Sequence, residues 1–265
     1  ILKKVLIRAP LLSYSGYGVH SRQVFKWLIS RNDFDVKVQI LEWGNTSWMI
    51  NPKMENGLIG EIMKRSNHKP EDAPFDITFQ VQLPDEWDVS LGKRNVGISA
   101  FVETDRCNPE WIKNTNNMDL VIVPSMHIKK TILNTGKPDT KVRVIQESFL
   151  DEILEKNTKP TNLNMDTDFN FLIVSQLTGN SSLTDRKNLF NTVKWLCEVF
   201  QNREDVGVVL KTNSGRGTRI DRKITYNTFD QIIQQVRKGP FPKFHILHGN
   251  MNSSEIAGLY KNKKI

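Results

Sequence analysis

The sequence predicts an α/β protein built from two doubly wound parallel sheets, each in its own domain. Short β-branched runs alternate with amphipathic runs along most of the 265 residues, which is typical of parallel sheets covered by helices. One polar stretch with Pro160 and no periodicity interrupts the alternation. We therefore predict a first domain over residues 1–152, a linker over 153–168 and a second domain over 169–265.

The first predicted domain has six strands and two well-marked helices. The strands are short β-branched runs bounded by turn residues: Lys3–Arg8, Asp35–Leu41, Ile77–Val81, Asn95–Phe101, Leu120–Val123 and Lys141–Ile145. One helix is predicted over Gly18–Ser30, where the apolar residues form a single stripe. The other is predicted over Ser125–Asn134, because the Ser125 hydroxyl can accept from free N–H groups of the first turn and Gly136 ends the helix.

The second predicted domain repeats this alternation on a smaller scale. Its predicted strands are Phe169–Val174, Val206–Lys211 and Phe244–Leu247, and its predicted helices are Lys187–Phe200, Asn227–Lys238 and Ser253–Lys261. That is about half of a doubly wound domain, so we expect the second domain to be incomplete. The chain opens on Ile1 rather than Met and closes where a helix would lead into another strand, so we expect a piece of a longer protein.

Composition narrows the classes of function. A content of 38% hydrophobic and 25% charged residues is that of a soluble globular protein, and no apolar run reaches the roughly 20 residues that span a bilayer. Cys107 and Cys197 lie far apart and match no metal-ligand spacing, so we expect two free thiols in the reducing cytoplasm. The net charge of +8 suits an anionic partner, which leaves a nucleotide, the inner membrane face or a nucleic acid open.

Two glycines stand between the first strand and the first helix, in the run Gly16-Tyr17-Gly18. They can simply allow the turn, or their backbone amides can approach a diphosphate or a sugar. They can also belong to a dinucleotide fingerprint, with Glu42 at the end of the second strand binding a ribose hydroxyl. That last interpretation is the weakest, because the third glycine is replaced by His20-Ser21-Arg22 and the loop is longer than a dinucleotide turn.

Two carboxylates, Glu103 and Asp105, follow the fourth predicted strand. In open α/β sheets the carboxyl ends of the strands form the ligand crevice, so these residues can orient sugar hydroxyls or act as an acid and base pair. The alternative is structural: Asp105 would cap the turn into Asn108–Trp111, and Arg106 would neutralise it.

Adjacent cations, Arg186 and Lys187, stand where the first helix of the second domain is predicted to begin. Cations are disfavoured at that end of a helix unless an anion is present, so the pair predicts a phosphate site rather than a solvated charge pair. Lys211 ends the next strand at the same rim and can join this site. His245 and His248 flank a short strand and face opposite sides, so we predict no metal site.

Together these segments resemble a known family, the GT-B glycosyltransferases of the large retaining family 4. In the first domain the similar runs are Ser15–Leu28, Phe101–Ile112 and Met118–Ser125. In the second domain they are Asp185–Leu189 and His248–Tyr260. The resemblance extends over nearly the whole chain and implies a GT-B-like fold of two Rossmann-like domains.

The resemblance also implies an activity. A sugar would move from a nucleoside-diphosphate donor to a hydroxyl of a carbohydrate, lipid or other acceptor, with retention of configuration and without metal or cofactor. It assigns one set of residues to the donor diphosphate: Arg186, Lys187, Lys211, Gly16, Tyr17 and Gly18. It leaves Glu103 and Asp105 as the catalytic candidates.

The sequence departs from the family pattern in three places. Gln176 stands where a basic residue is usual, and Gln146-Glu147-Ser148 stands where a glycine is usual. The paired-glutamate motif that binds the donor sugar would follow Ile265, so we expect this chain by itself to lack part of the donor site, to be inactive and to self-associate. Peripheral contact with a membrane is a further expectation.

Two other classes of function stay open. A nucleic-acid or polyanion binding module is supported only by the +8 charge, and no specific nucleic acid is predicted. A nicotinamide-dependent oxidoreductase is supported only by Gly16, Gly18 and Glu42.

Overall fold

The computed structural model describes residues 2–213 and 215–265. The chain divides into two compact units, one formed by residues 1–44 and 48–148 and the other by residues 45–47 and 149–265. Each unit has its own parallel β-sheet. Within the described residues, no helix is long and apolar enough to cross a membrane.

Among its described residues, the first unit contains six strands and four α-helices. The strands are β1 (Lys3–Ala9), β2 (Phe34–Ile40), β3 (Ile77–Val81), β4 (Asn95–Ile98), β5 (Leu120–Val123) and β6 (Val142–Val144). The helices are α1 (Gly16–Ile29), α2 (Leu58–Arg65), α3 (Glu110–Asn116) and α4 (Met126–Thr135). The strands pair in parallel in the order β2-β1-β3-β4-β5-β6. The order reverses between β1 and β3, which is where ligands bind in open sheets of this kind.

The core of the first unit fixes α1 against β1. Val5 and Ile7 of β1 are fully buried beside Phe25 and Leu28 of α1. Burying an apolar side chain of this size contributes about 1.5–3 kcal/mol. The contact holds the N-terminus of α1 at the carboxyl edge of the sheet, where a functional site is expected.

The connection from β3 to β4, residues 83–94, has no α-helix and covers the sheet through a polar ladder. Gln80 of β3 donates to the carbonyl of Asp88 at 2.7 Å and accepts from its N–H at 2.8 Å. Thr78 donates to the side-chain oxygen of Asn95 at 2.6 Å. Since buried polar groups need partners, this ladder holds the loop on the sheet in the place of an apolar helix face.

The described part of the second unit contains three strands and three α-helices. They are β7 (Phe169–Val174), β8 (Val206–Thr212), β9 (Lys243–His248), α5 (Leu189–Val199), α6 (Arg219–Val236) and α7 (Ser253–Tyr260). The strands pair in parallel in the order β7-β8-β9, and all seven residues of the central strand β8 are buried. Residues 153–168, the predicted linker, pack against this unit: the N–H of Thr161 donates to the carbonyl of Gly258 in α7 at 2.9 Å.

Several local predictions are confirmed. The strands β3, β5 and β7 have the predicted bounds. Ser125 caps α4, because its hydroxyl accepts from the N–H of Ile128 at 3.2 Å. Gly136 follows the last residue of α4 as predicted, although its φ of −175° is extended rather than left-handed. Cys107 and Cys197 are free and buried.

Other predicted boundaries are wrong. The helices α2 and α3 were not predicted, and β4 ends at Ile98 rather than at Phe101. The helix predicted from Asn227 begins at Arg219, because Thr218 and Asp221 form a capping box there. The helix predicted from Lys187 begins two residues later, at Leu189, whose N–H is taken by the carboxylate of Asp185.

Candidate functional site

Tyr17 ties together three chain segments at the carboxyl edge of the first sheet. Its ring stacks on Trp43, with ring centroids 4.0 Å apart. Its hydroxyl accepts from the N–H of Ala100 at 2.9 Å and lies 3.2 Å from the hydroxyl oxygen of Ser99. Burial raises the pKa of Tyr17, although the hydrogen bonds with Ser99 and Ala100 oppose the shift. The phenol is therefore a protonated hydroxyl at neutral pH, held at a fixed position.

The two glycines before and within α1 differ in their surroundings. Gly16 is exposed, and a Cβ added there meets nothing within 4 Å. A Cβ added at Gly18 would fall 2.9 Å from the carbonyl carbon of Ser13 and closer still to its oxygen. The requirement for glycine at position 18 is therefore set by the protein's own loop, so this glycine does not by itself indicate a pyrophosphate.

The loop before α1 is shaped by Arg22, to which sequence reasoning assigned no role. Arg22 is buried, and its guanidinium donates to the carbonyls of Leu11 at 3.0 Å and Ser13 at 2.8 Å. Burial lowers the pKa of Arg22, and the charge of Glu55 opposes that shift. Arg22 belongs to the run that replaces the third glycine, so a cation inside the fold, rather than glycine, sets the course of this loop.

Glu103 and Asp105 are both exposed, on a loop that lies along α4. The carbonyl of Glu103 is 3.1 Å from Nε2 of His127, and the carbonyl of Asp105 accepts from the Asn134 amide at 3.2 Å. The backbone of the loop is thus fixed on the helix while both carboxylates face solvent. Phe101, which starts the loop, is buried with a φ of +50°, a conformation that non-glycine residues seldom adopt outside functional or strained sites.

The structural interpretation of Asp105 is not supported at the turn where it was expected. There the side chain of Asn108 accepts from the N–H of Glu110 at 3.0 Å. Asn108 therefore caps the turn in place of Asp105, and Asp105 stays exposed on the loop that lies along α4.

Asp185 organises the loop between β7 and α5 at the carboxyl edge of the second sheet. Only 5% of its surface is exposed. One oxygen accepts from the N–H and the hydroxyl of Thr178 at 3.0 and 2.8 Å, and the other accepts from the N–H of Leu189 at 2.7 Å. Burial acts to raise the pKa of Asp185, but these hydrogen bonds outweigh it and hold the pKa below its ordinary value.

Arg186 and Lys187 lie in the turn before α5 and are exposed. The N–H of Lys187 is 3.3 Å from both the Thr178 hydroxyl and the Asp185 carboxylate. Asp185 therefore supplies the negative charge that this helix start favours, so the helix dipole is no longer an argument for an external anion. The two cations remain candidates because a rigid turn presents them at the sheet edge.

Lys211 lies near the end of β8 and is buried. Its amine donates to the carbonyl of Gly249 at 2.7 Å and to that of Thr212 at 3.3 Å. Burial lowers the pKa of Lys211, and the charge of Glu255 opposes that shift. Since an ammonium has three N–H donors, one remains for a further acceptor at this edge.

Two asparagines at the same edge are further candidates that sequence reasoning missed. The amide of Asn213, just after β8, donates to the side-chain oxygen of Asn250, just after β9, at 2.7 Å. The side-chain oxygen of Asn213 is buried and has no hydrogen-bond partner among the described residues. A buried acceptor left in this way is suited to a ligand hydroxyl or N–H.

The structure thus groups the predicted residues into two separate sets. In the first unit Tyr17, Ser99 and Trp43 meet at the carboxyl edge of the sheet, and the loop with Glu103 and Asp105 runs from the start of α4 to its last turn. In the second unit the predicted cations lie at the edge formed by the ends of β7, β8 and β9: Arg186, Lys187 and Lys211.

Comparison with solved structures identifies the fold. No protein-family model matches the sequence, and no curated protein matches it. Sucrose-phosphate synthase from Thermosynechococcus elongatus matches with a TM-score of 0.58 and 11% identity, over 97% of this chain and 73% of that one. A trehalose-6-phosphate structure from E. coli with bound UDP-2-fluoro glucose matches with a TM-score of 0.55 and 10% identity, over 96% and 75%.

The same arrangement recurs in an α,α-trehalose-phosphate synthase (UDP-forming) from Burkholderia xenovorans in complex with glucose-6-phosphate. Its TM-score is 0.53 at 11% identity, over 97% of this chain and 77% of that one. The chain has the GT-B fold. The predicted fold class is confirmed, and at 10–11% identity the match is one of fold. In the GT-B fold two Rossmann-like units each turn the carboxyl edge of a parallel sheet toward ligands.

Proposed function

We propose that this protein is a glycosyltransferase that moves a sugar from a nucleoside diphosphate to a hydroxyl acceptor. The observation that carries the proposal is the match of 96–97% of the chain to structures of sugar-phosphate synthases. One neighbour holds UDP-2-fluoro glucose and another holds glucose-6-phosphate. These ligands support a UDP-sugar donor and a sugar-phosphate acceptor for this chain.

The second unit supplies groups suited to the donor. The leaving group is a diphosphate whose charge grows in the transition state, so preorganised cations stabilise it. Lys211 offers one N–H from a buried amine, and Lys187 and Arg186 stand on a turn that Asp185 makes rigid. The unpartnered oxygen of Asn213 suits a hydroxyl or N–H of the nucleotide or sugar.

The first unit supplies groups suited to the acceptor. The Tyr17–Trp43 stack is an amphipathic surface of the kind that packs against a sugar ring. Glu103 and Asp105 are exposed carboxylates that can accept from sugar hydroxyls. We assign both residues to the orientation of acceptor hydroxyls ahead of general acid catalysis, because a carboxylate accepts hydrogen bonds from hydroxyl groups.

The finer features of the reaction follow from the family 4 resemblance. We propose retention of configuration and transfer without a metal ion, because cations and amides of the chain itself can stabilise the diphosphate. Self-association and peripheral contact with a membrane remain predictions.

Nucleotide binding tests the donor assignment directly. Each charge-assisted hydrogen bond contributes about 1.5–3 kcal/mol, so two or three of them give UDP or GDP a roughly millimolar affinity. Ligand-observed NMR should show binding that weakens about tenfold in Lys187→Ala and in Lys211→Met. The matched control is Lys194→Ala on α5, whose side chain pairs with exposed Glu198 and should leave the affinity unchanged. Equal affinities in all variants would refute the donor site.

Sugar transfer tests the acceptor side. In protein that transfers sugar from UDP-glucose to glucose-6-phosphate, the rate of UDP release should fall at least tenfold in Glu103→Gln. The variant loses a positioned, charged acceptor of hydrogen bonds. Glu110→Gln is the matched control, since Glu110 is exposed on α3 and pairs with Lys113. An unchanged transfer rate in Glu103→Gln would show that Glu103 has only a structural role in its turn. Quenching or enhancement of nicotinamide fluorescence by the protein would instead favour an oxidoreductase.

A further inference from the structure

A cavity of about 680 Å³ opens at the amino end of β9 in the second unit. Lys243, the first residue of β9, lines it together with His245. A strand rises about 3.3 Å per residue, so the start of β9 lies roughly 16 Å from its carboxyl end. Ligands of open parallel sheets bind at the carboxyl edge, so neither the fold nor the proposed donor site accounts for this cavity.

Three segments of the second unit bring charged and titratable side chains to the cavity. Asp166 comes from the segment before β7, Arg237 follows the last residue of α6, and Lys243 and His245 come from β9. Side chains alternate along a strand, so Lys243 and His245 share one face of β9, and Phe244 between them packs into the core with α5 and α6. The lining therefore includes two cations, one carboxylate and one imidazole.

The two cations differ in what balances their charge. The carboxylate of Asp166 forms an ion pair with the amine of Lys243. Arg237 has no carboxylate partner within the described residues: its Nη1 donates to the carbonyls of Pro240 at 3.4 Å and Pro242 at 3.3 Å. These bonds hold the guanidinium in place and leave the donors on its other two nitrogens. A fixed guanidinium with N–H donors to spare suits an oxyanion.

His245 adds a nitrogen without a partner to the same lining. Its Nε2 is buried and forms no hydrogen bond with any described residue, so it is suited to a ligand group. Burial lowers the pKa of His245, the charge of Asp166 opposes this shift, and the charge of Lys243 adds to it. Arg237 is the other charged group at this cavity. A bound anion would favour the charged imidazole and raise the pKa.

Other classes of small ligand fit these groups less well. A metal ion needs several ligating side chains, and the described residues contain no group of three or more that could hold one. At this cavity the ligating side chains are Asp166 and His245, and both lie beside cations. A neutral sugar would leave the charge of Arg237 without a counterion.

We propose that this cavity binds a phosphate group, either free or as a monoester, through Arg237 and Lys243. A guanidinium can bind phosphate with two parallel hydrogen bonds, and an ammonium has three N–H donors, so Lys243 keeps donors beyond its pair with Asp166. His245 supplies a further nitrogen for a hydroxyl of the phosphate or of the monoester. The site is separate from the donor edge, and the inference does not depend on sugar transfer.

NMR of the His245 imidazole tests the proposal at the site itself. The ring C–H resonance of His245 is identified as the one missing from His245→Asn. At pH 7.5 and constant ionic strength, inorganic phosphate and glucose-6-phosphate should each shift this resonance to saturation, and glucose alone should not. The pKa read from the pH titration of the resonance should rise when phosphate is bound. The compound that saturates at the lower concentration shows whether the free or the esterified group is preferred.

Two variants remove the proposed contacts. Arg237→Gln and Lys243→Gln should each weaken phosphate binding at least tenfold, because charge-assisted hydrogen bonds are lost. Circular dichroism checks the fold, and Lys243→Gln keeps the test valid if Arg237→Gln disturbs the turn that Arg237 holds. Lys238→Gln is the matched control, since Lys238 is next in the sequence, exposed and outside the cavity lining. It should leave the affinity within about threefold of the original.

Lys187→Ala separates this site from the donor edge, and it should leave the phosphate titration of His245 unchanged. Loss of the shift in Lys187→Ala would overturn the proposal and place the phosphate at the donor edge instead. A resonance that phosphate does not shift, or one that glucose shifts equally, would overturn it as well. Equal losses in Lys238→Gln and Arg237→Gln would show general attraction to positive charge rather than a site.

Discussion

Replacement of Asp185 should destabilise the second unit more than any exposed charge does. Its carboxylate accepts four hydrogen bonds, two from Thr178, one from Lys187 and one from Leu189, the first residue of α5. Asp185→Ala removes every one of these acceptors at a position that is almost fully buried.

The expected loss can be estimated from these contacts. Removing the acceptor at a helix start costs about 1 kcal/mol. Leaving the buried N–H of Leu189 unpaired costs about 1–3 kcal/mol more. We therefore expect Asp185→Ala to lower the free energy of unfolding by about 3 kcal/mol. Asp185→Asn should lower it by about 2 kcal/mol. The variant keeps one acceptor oxygen, but its NH₂ group replaces the other oxygen and faces N–H or O–H donors.

Urea unfolding monitored by tryptophan fluorescence measures this loss, since Trp195 lies on α5 itself. Asp230→Ala is the matched control, because Asp230 is exposed and, among the described residues, bonds to Gln234 on its own helix. The pH dependence gives a second readout. The pKa of Asp185 is lower in the folded state than its ordinary 3.8, so its stabilisation is complete above that pH and is lost as pH falls through the folded-state pKa. A loss within about 0.5 kcal/mol of the Asp230→Ala value would refute this account of the loop.

Three more outcomes are expected. Gly18→Ala should lower the free energy of unfolding by about 3 kcal/mol, because the added methyl group would clash with the Ser13 carbonyl. The added methyl group of Gly16→Ala meets no atom, so this variant should lose less than about 0.5 kcal/mol. Thermal unfolding that ranks the two variants equally would contradict this. Tyr17→Phe should lower stability by about 1–2 kcal/mol in urea unfolding, since the hydroxyl makes two hydrogen bonds, and an unchanged value would show that they contribute nothing. Burial lowers the pKa of His245 below 6.5, so as pH falls the unfolded chain takes up a proton before the folded chain does. The free energy of unfolding should therefore fall as pH drops below 6.5. Unfolding measured at pH 7.5 and 5.5 should show a smaller fall for His245→Asn.

The elements that the sequence predicted well depend on local patterns. The strands β3, β5 and β7 were found to the residue, because short β-branched runs between turn residues mark a buried strand wherever it lies in the fold. The Ser125 cap was found because a hydroxyl and the N–H three residues later are close in any helix start. The capping box of Thr218 and Asp221 is an equally local signal, and it could have placed the start of α6 correctly.

What only the tertiary structure decided depends on groups that are distant in sequence. The strand β4 stops at Ile98 because the hydroxyl of Tyr17, more than 80 positions away, takes the N–H of Ala100. The sequence predicts that Lys211 is a cation at a strand end. Its burial and its hydrogen bond to the carbonyl of Gly249 depend on how β8 and β9 pair. Periodicity records which residues lie on one face of an element, but it holds no information on which distant polar group will meet them. The sequence therefore determined the order of strands and helices, and packing determined which polar groups meet at the two sheet edges.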